Sequence, residues 1–134
     1  MKEVMAVIRI NKINATKRAL NAAGITSFTA TDRVLGRGKG LVDYRILDGA
    51  KAGSPEAISL LGGGPCLVPK RLIIVIVSDD FLDRTVKAII DVNQTGKAGD
   101  GKIFVMPVLE ATRIRTGETI KGASGGSVLD SSGA

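Results

Sequence analysis

A chain of 134 residues with a formal charge of +6 and only four aromatic side chains, three Phe and one Tyr, must build its core from Val, Ile, Leu and Ala. That length suits one domain, with about two thirds of its unfolded surface buried on folding. No histidine and a single cysteine, Cys66, leave no zinc ligand set and no internal disulfide. No apolar run approaches the roughly 18 residues of a membrane helix. The opening "MKEVMAVIRINK" also lacks the apolar length and cleavage site of an export signal, so a cytoplasmic protein without membrane insertion is expected. Clustered Lys and Arg suit nucleic acid through counterion release, but single-strand binders also stack bases on aromatic rings, which are nearly missing here. A basic nucleic-acid-binding ferredoxin-like domain is therefore an alternative rather than the leading reading.

Residues 3–10, "EVMAVIRI", read as a strand, and Asn14 is a candidate cap for a helix that runs to Ala23 and stops at Gly24. Residues 27–34, "SFTATDRV", alternate and carry β-branched and aromatic residues, which predicts a second strand. From 36 to 69 the stretches "GRGKG", "GSP" and "LGGGP" break every period, so this is read as one long loop, a rarity in compact domains unless it is functional or disordered. "RLIIVIV" (71–77) is a third strand. Asp79 or Asp80 then caps a helix with Leu82, Val86, Ile89 and Ile90 on one face. "KIFVMPVL" (102–109) makes a fourth strand, and "ATRIRTG" extends into a short fifth. Residues 119–134, ending in "GASGGSVLDSSGA", have the composition of a flexible tail.

Strand, helix, strand, strand, helix, strand is the α+β, ferredoxin-like βαββαβ order, with both helices on one face of an antiparallel sheet. The third strand is apolar from Leu72 to Val77 without alternation, so both of its faces need burial. Helices serve only one face, and other subunits are expected to cover the second.

The stretch "QTGKAGDGKIFV" (94–105) joins this frame to chemistry. Gly96, Gly99 and Gly101 allow positive φ, which lets successive N–H groups face one concavity, and Lys97 and Lys102 add charge. Such a loop can hold phosphate, although the Walker A spacing is missing. "GRGKG" (36–40) repeats the ingredients, and Arg113 and Arg115, two apart on a predicted strand, would project from one face. The planar fork of an arginine can bind two phosphate oxygens at once. No nucleophile with a base and no carboxylate pair stands out, so an enzyme is not expected.

"TGKAGDGKIFV" followed by "RIRTGE" resembles the C-terminal signature of the PII nitrogen-signalling family, and "GRGKG" resembles the start of that family's T-loop. The likeness spans about residues 1–118, with 36–69 as an extended T-loop. It implies a trimer of ferredoxin-like subunits, or a hetero-oligomer with a paralogous PII subunit, holding ATP or ADP in the clefts between subunits and sensing 2-oxoglutarate. By position, Gly36, Arg37, Gly38, Gly99, Asp100, Gly101 and Lys102 would meet the phosphates. Arg113 and Arg115 would add charge from the C-terminal strand, across the subunit boundary. Thr29 and the backbone near Ile76 would line the adenine end, and Lys70 and Lys39 would take 2-oxoglutarate.

Gly38 stands where the family's GRQKG stretch has a glutamine that helps hold magnesium, so Mg2+ would take its ligands from the triphosphate and the oxoacid rather than from side chains. Tyr44 does not match the position usually modified by nucleotidylation, and Cys66 reads as a packing or loop residue. The long loop and "VLGRGKG" resemble the branch encoded beside nitrogenase genes, which implies nitrogenase as the target. A general PII protein acting on an ammonium transporter is the second possibility. Glycines between two anchors in the cleft, with an apolar "PEAISLL" in the middle, suit a loop whose partner-binding surface is controlled by ligand.

Overall fold

The computed structural model describes residues 1–37 and 67–122. The expectations that rest on Gly38, Lys39, Tyr44, Cys66, the middle of the long loop and the tail beyond Gly122 lie outside the described residues.

The first strand, β1 (Lys2–Arg9), alternates strictly, burying Val4, Ala6 and Ile8. It lies at the centre of a four-stranded antiparallel sheet with β2 (Thr29–Arg37), β3 (Leu67–Val77) and β4 (Lys102–Pro107) in the order β2-β3-β1-β4. Helix α1 (Ile13–Ala22) follows β1 and α2 (Leu82–Asn93) follows β3, which gives the expected ferredoxin-like arrangement. Ile73, Val75 and Val77 of β3 join the β1 residues against Leu20 of α1 and Ile89 of α2. Buried polar groups lock the helices together. The Thr16 hydroxyl donates to the Lys12 carbonyl at 2.8 Å and accepts the Asn93 amide at 2.9 Å.

Helix entry differs from the expectation at both helices. Neither Asn14 nor Asp79 and Asp80 cap a helix, because a 3-10 turn precedes each one, over Ile10–Lys12 and Asp79–Phe81. Asp79 instead lies 3.2 Å from the Met1 amine and 3.6 Å from Lys2 Nζ. The exit of α1 is as read. Gly24 adopts φ +85°, its N–H donates to the Asn21 carbonyl, and the Ile25 N–H reaches back to the Leu20 carbonyl at 2.9 Å. This is a Schellman stop sealed by the two buried side chains Ile25 and Leu20.

The long loop is shorter than its glycine content suggests. Gly36 and Arg37 belong to β2, and Leu67, Val68 and Pro69 belong to β3, paired as Leu35↔Pro69, Gly36↔Val68 and Arg37↔Leu67. Cross-strand hydrogen bonding overrides the weak strand preference of Gly and Pro at this edge. The C-terminal segment also gains structure, since β5 (Glu110–Thr112) pairs with β6 (Thr119–Lys121) in a hairpin. Residues 119–121, placed in the tail by composition, are therefore a strand.

On β3, Leu72, Ile74 and Ile76 point away from the helices and keep part of their surface accessible. Met5, Phe104 and Met106 share that face through the pairings Met5↔Ile74, Met5↔Phe104 and Glu3↔Met106. The sheet thus shows one face to its own helices and a second, largely apolar face outward.

Candidate functional site

The glycine loop between α2 and β4 is organised by its own carboxylate. Asp100 Oδ2 accepts the Thr95 N–H at 2.8 Å and the Gly96 N–H at 3.0 Å, while Oδ1 accepts the Thr95 hydroxyl and Arg9 Nη1, the latter at 2.6 Å. The Lys97 N–H donates to Thr95 Oγ1 at 3.2 Å. Converging N–H groups were expected, but Asp100 rather than a ligand satisfies the first of them. A side chain engaged in this way leaves Asp100 only its backbone to offer a phosphate.

The hydroxyl and N–H of Thr95 hold the Asp100 carboxyl far below the usual carboxylate range, with Arg9 and the Gly96 N–H adding to this and partial burial opposing it. A depressed carboxylate pKa contributes order that is complete above the unfolded value of about 4 and is lost only as pH falls through the lower folded value. Amide exchange at Thr95 and Gly96, corrected for intrinsic rates, is therefore expected to show the same protection at pH 7 and at pH 5. Asp100→Asn should lower that protection at both pH values.

Close approach explains two glycines at this corner, Gly101 and Gly36. Gly101 has φ +107°, and a Cβ there would sit 1.9 Å from the Val7 carbonyl oxygen, so only glycine lets the loop lie on β1 as it enters β4. On the other side, a Cβ at Gly36 would meet Lys70 Cγ at 2.9 Å, because the lysine stem crosses the strand there. Lys70 is only 5% exposed, and its Nζ donates to the Gly99 carbonyl at 2.9 Å. Burial lowers its pKa, the neighbouring Arg9 lowers it further, and Asp100 partly offsets both. An arriving anion would relieve that cost.

Gly36, Lys70, Gly99, Asp100, Gly101 and Lys102 therefore gather at one corner of the sheet. Residues directly opposite each other share a face, and Arg9↔Lys70, Val7↔Leu72, Val7↔Lys102 and Thr29↔Ile74 place Thr29, Lys70, Ile76 and Lys102 on the open, apolar face. They are not all neighbours. Ile76 is six residues along β3 from Lys70, about 20 Å away. Arg37 ends β2 beside this corner.

Arg113 and Arg115 depart from the expectation, because they are not on a strand. β5 ends at Thr112, and Arg113 opens the hairpin turn: its N–H donates to the Glu118 carbonyl, and its carbonyl accepts the Gly117 N–H, both at 2.8 Å. Strand alternation therefore does not align the two guanidinium groups. Their hairpin leaves β4 at Pro107, the end opposite Lys102 and about 17 Å from it. Within one chain the hairpin that carries these arginines starts from the end of β4 opposite the glycine loop. Arg9, which ties the loop down, was not among the residues singled out from the sequence. An arginine ending a strand gives no sign of an acceptor at position 100.

The family model for the nitrogen regulatory protein P-II matches residues 1–118. The chain belongs to the P-II family. Among its relatives, nitrogen fixation nifHD region GlnB-like protein 2 of Methanothermobacter marburgensis is 47% identical over 119 residues, covering 88% of this chain and 95% of that protein. The nifHD1 region GlnB-like protein 2 of Methanosarcina barkeri is 43% identical over 124 residues, with 88% and 94% covered. Nitrogen regulatory protein P-II of Cereibacter sphaeroides is 39% identical over 121 residues, with 89% and 96% covered. These likenesses bear out both the P-II resemblance and its nitrogen-fixation branch. Among the described residues no helix is long and apolar enough to cross a membrane, and no group of three or more Cys, Asp or Glu is placed to hold a metal ion.

Proposed function

We propose that this P-II protein is a cytoplasmic, non-enzymatic transducer of nitrogen status that binds ATP or ADP between the subunits of a trimer and acts on nitrogenase through the segment 38–66. The division of the site carries the reading: glycine backbone, Lys70 and Lys102 lie at one corner, while Ile76 is about 20 Å away and the Arg113–Arg115 turn leaves from the far end of β4. One chain holds half of a polyphosphate site. A cyclic assembly, which sets one patch of a subunit against a different patch of the next, would bring the halves together. The apolar face of β3 supplies a reason to assemble.

In this reading Lys102 and the arginines meet the phosphates, together with the backbone of Gly36 and Gly101. Magnesium takes its ligands from phosphate and oxoacid oxygens rather than from side chains. 2-Oxoglutarate pairs with Lys70, whose buried ammonium gains from an added carboxylate. Since Gly36 and Lys70 flank both anchors of segment 38–66, occupancy of the corner is communicated to that segment. The nifHD-region names of the relatives support nitrogenase as the target.

Calorimetry tests the cleft. Lys102→Ala and Arg113→Ala should each weaken ATP binding by about 1.5 to 3 kcal/mol, the range for a charge-assisted contact. Mixing the two variants should restore tight binding in a fraction of the clefts, since some pair an intact loop with an intact hairpin. Variants that bind like the parent, or mixtures that show no recovery, would refute a shared cleft.

A further inference from the structure

Arg9 joins the glycine loop to the sheet from β1. Its Nη1 donates to Asp100 Oδ1 at 2.6 Å and its Nη2 to the Ala98 carbonyl at 3.1 Å, so the planar fork holds the loop at two points 91 and 89 residues away in sequence. Gly99 lies between these points, and a Cβ there would come within 3.3 Å of Nη2. Asp100 passes the restraint on, because the Thr95 and Gly96 N–H groups hang from its other oxygen. Arg9 also faces Lys70 across the β1–β3 pairing, and Lys70 holds the Gly99 carbonyl. Two cations on neighbouring strands thus grip consecutive carbonyls of one loop. With Nη1 and Nη2 both engaged, the guanidinium is committed to the protein, and its charge offsets a carboxylate that would otherwise repel an entering phosphate.

We propose that Arg9 is the positioning residue of the phosphate corner: it does not touch the nucleotide, but sets the 95–101 backbone through Asp100 and thereby governs polyphosphate affinity. This rests on the nucleotide reading above.

A double-mutant cycle on the full chain tests it, with ATP and ADP as probes. Arg9→Met and Asp100→Asn should each weaken ATP binding roughly tenfold to a hundredfold, and the double variant should be no weaker than the worse single one, because both changes release the same loop. Arg9→Lys, which keeps the charge but loses the fork, should recover only part of the loss. In the ligand-free protein, Arg9→Met should expose the Thr95 and Gly96 amides to exchange while the unfolding midpoint and oligomeric mass stay close to those of the parent. Additive losses in the cycle would mean that Arg9 reaches the ligand itself and would overturn the proposal, as would parental affinity in Arg9→Met. A parent that binds neither nucleotide would refute the cleft reading and the affinity half of this one. Ligand-free exchange is independent of that result, and unchanged protection in Arg9→Met would show that Arg9 does not set the loop.

Discussion

Gly101→Ala is expected to destabilise the fold by about 3 kcal/mol or more, beyond the cost of an ordinary surface change and near the top of the usual mutational range. Two penalties coincide at this position. The backbone sits at φ +107°, which an L side chain rarely adopts, and the new Cβ would overlap the Val7 carbonyl oxygen at 1.9 Å and its carbon at 3.1 Å. Those are backbone atoms of a central strand, so no flexible side-chain end can move aside. Relief requires lifting the loop from β1, which opens the Val7↔Lys102 pairing at the start of β4 and carries Lys102 out of the proposed phosphate corner. Denaturant unfolding and ATP calorimetry should both report the loss. Gly96→Ala is the control: φ is +80° there, but nothing lies within 4 Å of the added atom, so only the conformational penalty of about 1 to 2 kcal/mol applies. Equal midpoints for Gly101→Ala and the parent would mean that the loop does not rest on β1.

The second large effect concerns assembly. Ile74 is in mid-strand on the open face, opposite Met5 on one side and Thr29 on the other. In the proposed trimer, Ile74→Asp places an unpaired carboxylate in each copy of an apolar interface, at a cost of several kcal/mol per site. Light scattering should move from trimer mass to monomer mass, and ATP affinity should fall with it if, as proposed, the clefts are shared between subunits. The helix-side core of Val4, Ile73, Val75, Leu20 and Ile89 is untouched, so far-ultraviolet circular dichroism should keep its shape. A variant that still assembles would remove the open face from the interface.

Strand and helix identity were legible in the sequence wherever side chains alone decided them. β1 and β3 announce themselves by β-branched composition, and Gly24 marks a helix stop because only a positive φ closes that turn. What escaped depends on partners distant in the chain. Gly36 and Pro69 have poor strand propensity, but cross-strand pairing holds them in β2 and β3. The "RIRTG" stretch looks extended, yet Gly117 at φ +71° turns it back, and the Glu118 carbonyl captures the Arg113 N–H. At the site, the loop glycines and Lys102 could be read directly. The internal role of Asp100 and the grip of Arg9 could not, because both are set by how a strand end and a loop meet in space.

The pairing of Arg37 with Leu67 has a consequence for how this protein can diverge. It brings the two ends of the intervening chain to neighbouring-strand distance, about 5 Å apart, whatever that chain contains. The entropy of closing a connection grows only with the logarithm of its length, so doubling it costs roughly 0.6 kcal/mol. Insertions and deletions between these two residues are thus nearly neutral for the sheet. Descendants of one scaffold are free to lengthen or rewrite that connection, and so to change the company they keep, while the corner formed by Gly36, Lys70 and the glycine loop stays as it was.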